Sequence, residues 1–238
     1  AVVMGGWGHP TNGTSMIGHI NVSTTGNEVD SGGDITTGYS GAGISDRTRG
    51  IRAGYRNDPS PGASMNTIEY VTISIGNNSI DFGDLLAPSA TTQGVSSRTR
   101  GILAGGYENP AGAPSYPRSN TVQYVTIQST GNAIDFGDMA VATSGGASGQ
   151  SPTRGLILGG SPAPTTANRI NTIQFLTMST LGNTSDFGDL TKQAANFGGS
   201  SNAIRSLVSG GAAKDSTTAL NDIEFVTIAT LGLSLIHI

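Results

Sequence analysis

At 238 residues with a net charge of −4 and only two lysines, Lys192 and Lys214, the chain lacks the basic footprint that a nucleic-acid partner demands. It holds no cysteine, which excludes disulfides, thiolate metal sites and a cysteine nucleophile, and no apolar run of about 18 residues that would span a membrane. Its 36 glycines and 10 prolines make about 19% of the chain, below the roughly 25–30% expected of an aperiodic disordered sequence.

The chain is an array. Along it, a degraded copy at Ser15–Gly33 is followed by Asn66–Asp84 (NTIEYVTISIGNNSIDFGD), Asn120–Asp138 (NTVQYVTIQSTGNAIDFGD) and Asn171–Asp189 (NTIQFLTMSTLGNTSDFGD), then a short copy at Asn221–Gly232. The starting residues lie 51, 54, 51 and 50 positions apart, the size of one small supersecondary unit that needs neighbours to bury its faces.

Each repeat divides into four short segments bounded by glycine, serine and asparagine, which read as strands. In the fourth copy these are Ala142–Gln150, made of small residues; Thr153–Gly160, apolar and ended by a glycine pair; Asn171–Met178, β-branched and aromatic; and Asn183–Asp189. The small-residue counterparts are Thr37–Ser45, Ala90–Ser97 and Ala194–Asn202, suited to an innermost strand where sheets converge. Glycine pairs recur at Gly5-Gly6, Gly105-Gly106, Gly159-Gly160 and Gly210-Gly211, with Ala53-Gly54 in the second repeat. No window of helical length carries a 3.6-residue apolar period. In the third segment, Val122 and Tyr124 point one way while Val125 and Ile127 point the other, so both faces of each sheet must be covered. Four-stranded antiparallel sheets covered on both sides and repeated every ~50 residues predict the blades of a β-propeller.

The apolar strand ending in Gly-Gly, then N-T-x-x-(Y/F)-x-T, then a short aromatic-bearing strand, resembles the kelch repeat. Runs of the NTIxYVTIxxTGNxxDFGD and SxTRGxxxGG type are closely similar to kelch-like propeller repeats in virion and tail-associated proteins of environmental bacteriophages. The resemblance covers Ala1 to Gly232, departing at His19 and Ser31, where the other copies carry aromatics. It implies a non-enzymatic structural or binding module on a phage particle or outside the cell, whose partners are a host-surface glycan or protein, or other virion proteins.

The chain reads as residues 1–33 of a partial blade, complete blades at 37–84, 90–138 and 142–189, and a truncated blade at 194–232. This predicts an incomplete ring of roughly four to five blades. The ending Leu233–Ile238, LSLIHI, breaks the repeat where a Gly-Asn turn is due and matches an in-frame translated transposon-end sequencing adapter. It reads as an artefactual tail on a metagenomic fragment.

No residue set points to catalysis or a cofactor. The triplet Asp81-Phe82-Gly83 matches the metal-binding triplet of protein kinases, but it recurs as Asp135-Phe136-Gly137 and Asp186-Phe187-Gly188 without the partner motifs. Phe82, Phe136 and Phe187 are expected to pack between blades, with Tyr70, Tyr124, Phe175 and Phe225 as further repeat residues. The D-x-x-D pairs Asp81/Asp84, Asp135/Asp138 and Asp186/Asp189 lack the dense ligands of a calcium loop. They are expected to cap turns or to pair with the repeated Arg49, Arg100, Arg154 and Arg205 across blades. His9, His19 and His237 have no metal-ligand spacing, and no serine sits in a nucleophile elbow. Galactose oxidase, a copper enzyme on the kelch propeller, needs a cysteine-crosslinked tyrosine that this chain cannot form.

Variation lies in the loops between second and third strands: Trp7–Thr14, Tyr55–Met65, Tyr107–Ser119, Ser161–Ile170 and Ala212–Leu220. Strand alternation places them on one face, where variable loops on a rigid scaffold usually bind. Trp7, Tyr55, Tyr107 and Tyr116 are the candidate ligand-contacting aromatics, either stacking on sugars or anchoring a protein, or folding back on their own loops. A bacterial surface or secreted kelch-like adhesion or scaffold protein is the second reading. A glycan-active propeller enzyme is the third, disfavoured because no acid pair stands outside the repeat register.

Overall fold

A computed structural model describes residues 1–8, 12–57, 62–108, 116–214 and 218–230, and the suspected tail lies outside them. Apart from one 3-10 turn, Thr166–Asn168, the regular structure described is all β. The strands form antiparallel sheets arranged as the blades of a five-bladed β-propeller. Blade 2 is Ala42–Ser45, Arg49–Ala53, Met65–Thr72 and Ile80–Ser89, hydrogen-bonded in that order. Blade 3 is Gln93–Ser96, Arg100–Ala104, Thr121–Thr126 and Ile134–Asp138, and blade 4 is Ala147–Gln150, Arg154–Gly160, Ile170–Thr177 and Ser185–Asp189. In blade 1, Val2–Gly8, Asn12–His19 and Val29–Tyr39 pair in order, with Arg56–Asn57 against the last; blade 5 comprises Gly198–Ser201, Arg205–Ser209 and Ile223–Thr227.

The innermost strands are shorter than the sequence suggests, at four residues each. The residues before them belong to the blade-to-blade connections, and in blades 1 and 2 they extend the outer strand to Tyr39 and Ser89. The glycine register also shifts by one in the second repeat. Gly54 has φ +58°, matching +63° at Gly105, so the pair there is Gly54-Tyr55 and not Ala53-Gly54.

The core lies between blades, as the two apolar faces require. Val122 and Tyr124 pack with Ile157, Leu176 and Met178 of blade 4, whereas Val125 and Ile127 pack with Ile51, Ile68 and Phe82 of blade 2. The DFGD strand delivers its phenylalanine by a β-bulge: Gly137 pairs with Val122 and Asp135 with Gln123, leaving Phe136 as the extra residue. Phe82 and Phe187 are bulged alike, and all three are buried. They meet Tyr70, Tyr124 and Phe175 edge to face at centroid distances of 5.9, 6.1 and 6.1 Å. The following glycine is required twice over. Gly137 has φ +147°, and a Cβ there would lie 2.5 Å from the backbone of Gly182 in the next blade.

Hydrogen bonds repeat with the same period. Gly131 N and Ala133 N donate to the Phe82 and Asp84 carbonyls, and Gly182 N and Thr184 N to those of Phe136 and Asp138. Arg49, Arg100 and Arg154 each donate Nη1 to a carbonyl of the following blade, at Ile127 (2.9 Å), Met178 (2.9 Å) and Ile228 (2.7 Å). Their guanidiniums lie 4.5, 4.5 and 4.8 Å from the ring centroids of Tyr70, Tyr124 and Phe175, and Arg205 sits 4.7 Å over Phe225. The expected arginine–aspartate pairing is not found: among the described residues these arginines form no ion pair, and the exposed carboxylates of Asp81, Asp135 and Asp186 have no partner and cap no turn. Carbonyls already fixed at the interface serve the guanidinium without the cost of desolvating a carboxylate.

Candidate functional sites at the loop face and the channel mouth

The four expected aromatics do not form one set. Tyr55 is 1% exposed, with the Arg52 guanidinium 3.9 Å over its ring, so it is a core residue and not the ligand contact expected. It takes the place of Gly106, and its ring packs against Gly38 on the outer strand of blade 1. Trp7 pairs through its backbone with Gly13, and its side chain lies outside the described residues, as do His9 and His237.

Tyr107 and Tyr116 do come together. Their rings meet edge to face at 5.6 Å and 87°, and both are half-buried. Arg118 lies 5.2 Å over the Tyr107 ring and donates to the Tyr116 carbonyl at 2.7 Å and, across the blade boundary, to the Ser161 carbonyl at 3.2 Å. Arg56, from the loop of blade 2, lies 6.0 Å from each of the two rings and reaches the Tyr107 hydroxyl at 3.4 Å. The Tyr107 backbone is pinned to Ala90, on the connection between blades 2 and 3, by bonds of 2.9 and 3.0 Å. Burial raises the Tyr107 pKa against the opposing pull of Arg56, so the phenol keeps its proton; burial likewise lowers that of Arg118. The result is a preorganised patch of two aromatic rings and two cations, built by loops of neighbouring blades. It offers ring edges, a phenol and guanidinium faces, with Glu108 next to Tyr107 in the chain and the Ser64 hydroxyl donating to the Tyr107 carbonyl at 3.4 Å. Sequence reading found the tyrosines and missed Arg56 and Arg118, whose role depends on which loops the ring makes adjacent.

A second concavity lies on the opposite face, where the first turns of blades 2 to 5 surround a cavity of about 480 Å³. Its wall is a hydrogen-bonded arc: Ser45 N donates to Ser96 Oγ at 3.4 Å, Ser96 N to Gln150 Oε1 at 2.6 Å, and Gln150 N to Ser201 Oγ at 2.9 Å. Each blade thus presents the last residue of its inner strand to the next.

Sequence reasoning also missed a clamp at the residue before the third-strand aromatic. Gln123, Gln174 and Glu224 accept from the backbone N–H of Leu86, Val141 and Thr191, on the outgoing connection of the preceding blade, at 2.8, 3.0 and 2.8 Å. In blade 2 the same position is Glu69, which accepts from Thr36 N at 3.1 Å and pairs with Arg52 at 2.5 Å, both side chains 4% exposed.

No protein-family model matches the sequence, and no curated protein matches it. No group of metal-ligating side chains able to hold an ion occurs among the described residues, and no helix among them is long and apolar enough to cross a membrane.

Proposed function

We propose that this chain is a non-enzymatic binding module of a kelch-like virion or tail-associated protein, whose loop face recognises a host-surface glycan or protein. The observation that carries recognition is the Tyr107–Tyr116–Arg118–Arg56 patch. Its residues sit where the repeats disagree, on loops held by a scaffold whose other contacts repeat. Half-buried tyrosines and arginines already locked in place lose little side-chain entropy on binding and are favoured anchors for both sugars and proteins. The virion attribution is supported by the resemblance of the repeated runs to phage propeller repeats.

Binding of the intact chain to a glycan array and to host cell-surface proteins tests the recognition. Saturable binding lost in Tyr107→Ala and Arg118→Ala is the expected result, and silence on both would overturn it. Flanking capsid and tail genes are expected; adhesin or secretion genes in their place would favour the bacterial surface reading. Turnover of a sugar abolished at one carboxylate would make it an enzyme instead.

A further inference from the structure

Ten arginines occur in the chain, and eight of them have a contact: Arg49, Arg52, Arg56, Arg100, Arg118, Arg154, Arg169 and Arg205 reach a carbonyl, a carboxylate or a ring. Arg47 and Arg98 have none among the described residues. Both are exposed, they occupy equivalent first-turn positions in adjacent blades, and both line the channel mouth. Blades 4 and 5 carry Pro152 and Ala203 at that position, each preceded by a polar residue, Ser151 and Asn202, so the two cations lie on one side of the rim and the uncharged residues on the other. The one acid among the described residues of this rim, Asp46, is already engaged by its own turn, accepting from Thr48 N at 2.7 Å and Arg49 N at 2.8 Å, and from the Gln128 amide. Below the rim, the buried Ser96 hydroxyl accepts from Ser45 N and the Gln150 amide and the Ser201 hydroxyl accepts from Gln150 N, and neither these nor the Ser45 hydroxyl donates its own hydrogen to another group among the described residues.

We propose that this channel mouth binds an acidic monosaccharide. Arg47 and Arg98 take the carboxylate, the three serine hydroxyls meet sugar hydroxyls, and Pro152 and Ala203 face the apolar side of the ring. The cavity is far larger than a bare sulfate needs and lies within the size range of sites for small organic ligands. A guanidinium pair recognises a carboxylate by charge-assisted bonds, while hydroxyl donors without acceptors recognise polyol oxygens. This site is independent of the loop-face patch, because the first turns and the loops between second and third strands lie at opposite ends of the strands.

Calorimetric titration of the intact chain with galacturonate, galactose and sulfate as separate probes, at low salt, tests it. Galacturonate is expected to bind saturably, with galactose and sulfate each weaker by about tenfold or more, the factor that one charge-assisted contact supplies. The double variant Arg47→Ala/Arg98→Ala should weaken galacturonate about tenfold or more with an unchanged melting temperature, and Tyr107→Ala should leave it intact. Absence of galacturonate binding, sulfate binding as well as galacturonate, or binding that survives the double variant overturns the proposal. Loss in Tyr107→Ala would move the sugar to the loop face and overturn it too.

Discussion

The seam between blades and the mouth of the channel use the same residue type two positions apart in one tight turn, to opposite ends. Arg100 points its guanidinium across the face of Tyr124 and bonds the Met178 carbonyl of the next blade, while Arg98 stands exposed without a partner among the described residues. Arg49 and Arg47 repeat the division one blade earlier. The teaching is that recurrence in a repeat marks a contact that every blade must make, whereas a cation kept in only two blades is released from that duty. The seam rewards uniformity, because each interface has the same shape; the mouth and the loop face tolerate difference.

The sharpest way to break this comparison is at the clamp on the seam. Glu69→Ala leaves Arg52 charged and buried, with an expected loss of about 3–5 kcal/mol in chemical denaturation. Gln123→Ala, at the equivalent neutral position, is expected to cost about 1–3 kcal/mol. Equal losses would mean that the ion pair adds nothing to the shared clamp. Next in size is the bulge: Gly137→Ala must adopt φ +147° and meet the Gly182 backbone at 2.5 Å, for an expected loss exceeding that of Gly131→Ala. Gly131 has φ +154° but open space around it, so only the backbone term of about 1–3 kcal/mol applies. Asp135→Asn, on an exposed carboxylate without a partner among the described residues, is expected to change stability by no more than about 0.5 kcal/mol, and a larger loss would restore the aspartate to the seam.

The smallest effect is one of pH. Burial of Asp46 raises its pKa, but hydrogen bonds from Arg49 N, Thr48 N, Gln128 and the Thr48 hydroxyl outweigh it and leave the carboxyl below its ordinary 3.8. A depressed folded pKa contributes stability that is fully present above the unfolded value and lost as the pH falls through the folded one. The melting-temperature gap between the wild type and Asp46→Ala should therefore be constant well above pH 3.8 and narrow below it.

The propeller was legible because its evidence is periodic. A 50-residue repeat, two apolar faces on one strand and glycine-bounded segments are all local in the sequence, and the buried phenylalanines followed from them. What sequence could not show was partnership across blades. Opposite charges recurring in phase suggested arginine–aspartate pairs, but phase does not fix distance, and the carbonyls that receive Arg49, Arg100 and Arg154 have no side-chain signature. Tyr55 misled for a simpler reason. A one-residue shift at the glycine turn moved it from the loop face into the core, where Arg52 stacks on it. At the candidate site, the tyrosines announced themselves by type, whereas Arg56 joins them only because blades 2 and 3 are neighbours.

Thermal unfolding of Arg100→Ala and Arg98→Ala, side by side, tests the division between seam and mouth most directly. The expected result is a loss of about 1–2 kcal/mol for Arg100→Ala, from its carbonyl bond and ring contact, and no change for Arg98→Ala. Equal destabilisation, or a loss confined to Arg98→Ala, would contradict it.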